Sequence, residues 1–119
     1  MNIYVVRADF GKYAEDFVKG GYVAIGWLKN DNLENIKTRD EIYPLCKAAN
    51  PTDTSNVVIG QQVGQIARFL LEIKEGDYVI TPAADTDYIY YGTVESGTSY
   101  YFNTAQDSCP FVHRRKINW

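Results

Sequence analysis

Residues 59–82 read IGQQVGQIARFLLEIKEGDYVITP, and the change of period inside this stretch decides the fold. In its first half Ile59, Val63, Ile66, Leu70 and Ile73 recur at helical spacing, with Gln61, Gln62, Gln65, Arg68 and Glu72 between them. That is the apolar stripe of an amphipathic helix with a polar outer face. Lys74, Glu75 and Gly76 end it, the glycine supplying the positive φ that helix ends commonly need. Residues 77–81 then run through Tyr78, Val79 and Ile80 as a strand that Pro82 closes. A helix delivered into a strand by a tight turn suits the sealed end of a small β-barrel.

Upstream, residues 3–7 (IYVVR) form a continuous apolar run and read as a buried strand. A short helix is expected over 12–19, with Tyr13, Phe17 and Val18 as its apolar face and Gly20-Gly21 as its stop. A second strand covers 22–25 and ends at Gly26-Trp27. Thr38-Arg39-Asp40-Glu41 has capping-box spacing, which predicts a helix over 39–49 ended by Asn50-Pro51. Thr54 or Ser55 is placed to cap the helix that follows. Downstream, a turn is expected at 84–86 and a tyrosine-rich strand at 88–95, with Gly92 marking a bulge or bend. Ser96-Gly97 turns that strand into another at 98–102, a polar loop spans 103–108, and a last strand covers 111–117. The expected class is α+β: a small, mostly antiparallel β-barrel of five to six strands flanked by helices, one domain over residues 1–119.

Composition narrows the function. The chain has 119 residues, enough for one core, with 45% hydrophobic and 23% charged residues. A net charge of −3 gives no overall pull on phosphate, which argues against a non-specific nucleic-acid coat but not against a local basic patch. Ten tyrosines favour strands and suit surfaces that stack on flat ligands. Cys46 and Cys109 lack metal-ligand spacing and read as unpaired thiols of a cytoplasmic protein. With no signal peptide and no run long enough to span a bilayer, no membrane partner is expected.

Few residues carry chemistry. His113, the one histidine, has no nucleophile or carboxylate at an informative distance and reads as a solvated strand residue. Turn formation accounts for Asp85 and Asp87. No glycine-rich phosphate loop is present, so no cofactor, metal or catalytic constellation is expected. Trp27, at the mouth of a strand, is either a core cap or one wall of an aromatic pocket. Tyr88 and Tyr90 share one strand face and Tyr91 the other, so at least one ring is exposed or at a site. Arg114, Arg115 and Lys116, beside His113, read either as charges protecting an edge strand or as a phosphate-contacting rim.

The segments IYVVRAD (3–9), GYVAIGW (21–27), GQIARFLLEIKEGDYVITP (64–82), YYGTVESGTSYYF (90–102) and HRRKINW (113–119) together resemble the N-terminal module of Mrr-type restriction endonucleases. That module belongs to the PUA-like group, with the EVE and YTH domains, and the resemblance spans nearly the whole chain. It implies a non-catalytic domain that binds nucleic acid, DNA favoured over RNA, and holds a flipped, methylated base in an aromatic cage. By this resemblance Trp27 is a cage wall, and Arg7 and Asp9 fall where polar contacts to the base are made. Asp9 would then accept a hydrogen bond from an exocyclic amine. A nuclease domain or subunit is the implied partner, and the chain is then an N-terminal fragment of a longer protein. The alternatives are an RNA-binding module of the same fold and a protein-interaction domain that uses its exposed tyrosines.

Overall fold

The computed structural model describes residues 2–84, 87–97 and 100–119. Its elements are β1 (Ile3–Val5), α1 (Ala14–Gly20), β2 (Tyr22–Ile25), α2 (Arg39–Ala49), α3 (Asn56–Ala67), a π-helical turn (Arg68–Glu72), β3 (Tyr78–Pro82), β4 (Ile89–Val94), β5 (Tyr100–Phe102) and β6 (His113–Asn118). Local chemistry sets the ends of the helices. The Thr38–Glu41 capping box opens α2, and the Ser55 hydroxyl accepts the Val58 N–H at 3.3 Å to open α3. The expected long helix stops at Ala67, because Ile73 N–H bonds Arg68 O at 3.1 Å, five residues back. Gly76, at φ 83°, then releases the chain toward β3. The turn expected at 84–86 falls on Asp85 and Thr86, and the strand start expected at 98 falls on Thr98; these lie outside the described residues.

The six strands form one mixed, curled sheet in the order β1-β3-β4-β6-β2, with β5 also paired to β6. The fold is α+β and mostly antiparallel, as expected, but the sheet is a half-barrel rather than a closed barrel. Its ends are β1 and β2, which do not pair with each other. One pairing is parallel, β1 with β3, in the register Ile3↔Tyr78 and Val5↔Ile80. The first strand is therefore an edge strand, with Ile3 65% and Val5 58% exposed, not the buried strand its apolar run suggested.

The larger correction concerns β6. The basic run 113–116 lies at the middle of the sheet, paired along its length with β2 on one side and with β5 and then β4 on the other. Gly92 is explained by close approach, since a Cβ there would sit 2.5 Å from Asn118 O. No bulge is needed to account for it. Asp77 ties the sheet's edge together: its carboxylate accepts the backbone N–H groups of Lys74 at 2.9 Å and Asn2 at 3.0 Å. Those two donors hold its pKa below the ordinary carboxylate range.

Phe17, Val23, Ile42, Ile66 and Val79 are fully buried and fill the space between the concave face of the sheet and the helices. Cys46 and Cys109 are free and buried in the same core. Trp119 closes it, its indole N–H donating to Phe17 O at 3.0 Å. No described helix is long and apolar enough to cross a membrane.

Candidate functional site

A half-barrel leaves a gap between its end strands, and here a cleft of about 370 Å³ is lined by residues of both β1 and β2. Tyr4, Val5 and Arg7 come from β1 and the residues just after it, Ile25 and Trp27 from the end of β2, and Gln65, Arg68 and Phe69 from α3 and the π-helical turn. Trp27 is 38% exposed, too uncovered for a core cap. It also lines a second hollow of about 370 Å³, beside Lys29 and the amides of Asn50 and Gln62, so an open space lies on either side of it. Arg7 and Arg68 are exposed, and neither has an ion-pair partner among the described residues. Two uncompensated guanidinium groups make this a local positive site in a chain whose net charge is −3.

The structure thus brings Trp27 and Arg7 together and adds Arg68 and Gln65. Asp9 does not line the cleft. It is exposed in a left-handed turn, with Asp9 at φ 52°, Phe10 at φ 57° and Gly11 at φ 85°. Gly11 is required there, since a Cβ would lie 2.5 Å from the backbone of Ala83 and Ala84. This strained, tightly seated turn leaves Phe10 97% exposed. The Phe10 Cα lies within roughly 11 Å of that of Arg7, because only Ala8 and Asp9 lie between them. Tyr88 lines a different hollow beside α1 with Tyr90, and Tyr91 stands on the convex face of the sheet, 68% exposed.

Arg114 and Arg115 are not placed to meet a phosphate. Both are buried, and with His113 they anchor three separate segments to the central strand. Arg114 forms a bidentate pair with Asp107 at 2.7 and 2.8 Å, donates to Phe111 O and Cys109 O, and lies 4.1 Å over the Tyr22 ring. Burial works against its charge, but the Asp107 carboxylate together with Tyr22 and Tyr101 outweighs this and raises its pKa. Arg115 donates to Phe69 O at 2.7 Å and Ile73 O at 2.9 Å, carbonyls of the π-helical turn and its end. It thereby fixes the segment that carries Arg68. Only Lys116 of the expected phosphate rim is exposed, its ammonium 5.9 Å from the Tyr101 ring centroid.

His113 is fully buried, not solvated. Its Nε2 lies 2.7 Å from Leu28 O and its Nδ1 2.8 Å from the Tyr100 hydroxyl, which accepts the Leu33 N–H at 3.1 Å. Leu28 O can only accept, so Nε2 carries a proton, and in the neutral ring the Tyr100 hydroxyl donates to Nδ1. Leu28 has φ 55°, so the histidine holds the strained residue next to Trp27. Burial lowers the pKa of His113. The unfolded chain then binds a proton more readily than the folded one, so stability is full above about pH 6.5 and falls as the pH drops below it. Urea midpoints measured at pH 7.5 and 5.5 should show this loss, and His113→Gln should flatten it, this being the chain's one histidine. Equal midpoints for the wild type would remove the argument.

Gln65 and Arg68 were legible in sequence only as members of a polar helix face, which looks the same whether it meets solvent or a ligand. No group of three or more metal-ligating side chains occurs among the described residues. No curated protein matches the chain. No solved structure matches it either. A family model described as a domain of unknown function (DUF8426) matches residues 6–119, and the chain belongs to that family.

Proposed function

We propose that this domain is a non-catalytic nucleic-acid-binding module that holds an extruded, modified base of DNA in the cleft between β1 and β2. The observation that carries this reading is a partly exposed indole, Trp27, beside two arginines without an ion-pair partner among the described residues, in an open cleft of about 370 Å³. A volume of that order suits a small flat ligand. Trp27 supplies the stacking face, Arg7 and Arg68 contact the phosphates on either side, and the Gln65 amide reads the base edge. Phe10, three positions beyond Arg7, offers a second exposed ring. An open half-barrel with an aromatic residue at its lip supports a PUA-like, EVE-related identity. On that reading the domain serves as the targeting module of an Mrr-type restriction system, with a nuclease domain or subunit as partner.

The test is fluorescence anisotropy with labelled duplexes that differ only in one methylated base, alongside RNA of matched sequence. One methyl group buried in the cleft is worth ~0.8 kcal/mol, so the modified duplex should bind about 4-fold tighter. Each phosphate contact contributes about 0.9 to the slope of log affinity against log salt, so Arg68→Ala should flatten that slope by about one. Equal binding of modified and unmodified duplexes would sink modified-base recognition. No binding of any oligonucleotide at low salt would sink the nucleic-acid reading altogether. Tighter binding of RNA would reassign the polymer.

A further inference from the structure

Three strands of the sheet are apolar on both faces, yet only one face is covered. In β3 the residues Val79 and Thr81 point into the core, while Tyr78 and Ile80 alternate with them on the other face. In β4, Gly92 and Val94 are buried, while Ile89 and Tyr91 stay 58% and 68% exposed. The register sets Ile3 beside Tyr78, and Val5 beside Ile80, which in turn faces Tyr91. Ile3, Val5, Tyr78, Ile80, Ile89 and Tyr91 thus form one convex surface, three strands wide, with no charged residue in it. A sheet with one face in water normally alternates apolar-in with polar-out, and an edge strand is normally protected by charge or proline. On this surface β1 and β4 show neither device, and in β3 only Pro82, opposite Ile89 at the end of the strand, does. Polar character returns at its border, where Thr93 pairs with Asn118.

We infer that this surface joins two copies of the chain face to face as a two-fold dimer. An isologous interface must complement itself, and an uncharged apolar surface does so with no opposing charge to match. Complete covering of these six side chains would bury on the order of 600 Å² per copy, or about 1,200 Å² for the pair, which is the lower bound for a specific interface. An apolar centre with a polar border is also the usual anatomy of such contacts. Trp27, Arg68 and Gln65 lie outside the surface, and Val5 alone belongs to both, so the dimer would border the cleft along β1 and does not depend on the proposed function.

The test is sedimentation velocity on the intact chain over a concentration series up to about 100 μM, with far-UV circular dichroism to establish folding. The wild type should sediment with the mass of two chains. Tyr91→Lys, at an already exposed position, should sediment as one. Val57→Lys, which alters a residue 70% exposed on α3 and away from the surface, should leave the dimer intact. If Tyr91→Lys fails to fold, Ile3→Lys on the edge strand takes its place. A monomeric wild type, or a dimer that survives Tyr91→Lys, overturns the inference. A dimer dissociated equally by Val57→Lys overturns it as well.

Discussion

Arg115→Met is expected to lower folding stability by about 3–5 kcal/mol, read as a fall in the urea midpoint at constant slope. Methionine approximates the length of the arginine stem, so packing along the stem is largely kept and the loss reports the guanidinium. That group satisfies Phe69 O and Ile73 O in a segment where the i→i+5 pattern has removed the regular helical bonds. Each buried acceptor left without a donor costs about 1–3 kcal/mol. Lysine should recover little, because one ammonium on a flexible stem does not reproduce a planar fork aimed at two carbonyls. Against a typical total of about 5–15 kcal/mol, the change would leave the domain close to unfolding at room temperature. A loss below about 1 kcal/mol would mean that the π-helical turn does not depend on β6.

Trp27→Ala is expected to weaken binding of a modified duplex by about 5- to 150-fold while leaving the fold intact. Stacking of a base on an aromatic ring is worth about 1–3 kcal/mol by alanine substitution, which sets that range. The fold should survive because the ring is 38% exposed and makes no aromatic pair among the described residues. The neighbouring backbone is held independently, through the bond from His113 to Leu28 O. Trp27→Phe should bind between the two, since a smaller ring keeps part of the stacking face. Full affinity in Trp27→Ala would exclude the indole from the contact and with it the cleft between the two end strands.

The parts of this fold that depend on neighbours in sequence were legible there, and the parts that depend on distant partners were not. The caps at Thr38 and Ser55, the positive φ at Gly76 and the strand through Val79 all follow from residues within a few positions of each other, although the helix expected to run up to Gly76 ends earlier. The misreading of His113-Arg114-Arg115 has the opposite origin. A run of basic residues looks solvated unless one knows which carbonyls elsewhere lack donors, and Leu28, Phe69 and Ile73 are brought to β6 only by the tertiary fold. The π-helical turn escaped notice because Leu70 and Ile73 keep an apolar spacing compatible with an ordinary helix. At the site, Trp27 could be singled out because it follows the end of a predicted strand, whereas Arg7 was placed there by the family resemblance. Arg68 and Gln65 join them only because the half-barrel stays open beneath α3.

The place of β6 bears on how the chain acquires its shape during synthesis. Tyr22 pairs with Lys116, and Val23 with Arg115, so β2 must wait for more than ninety residues to emerge from the ribosome before it has a neighbour. Until then the apolar edges of β2 and β4 have no strand between them, and closing so large a loop makes this a slow topology for its size. The nascent chain should therefore remain a client of holding chaperones until His113 to Asn118 has left the exit tunnel, after which both halves of the sheet lock together in one late step.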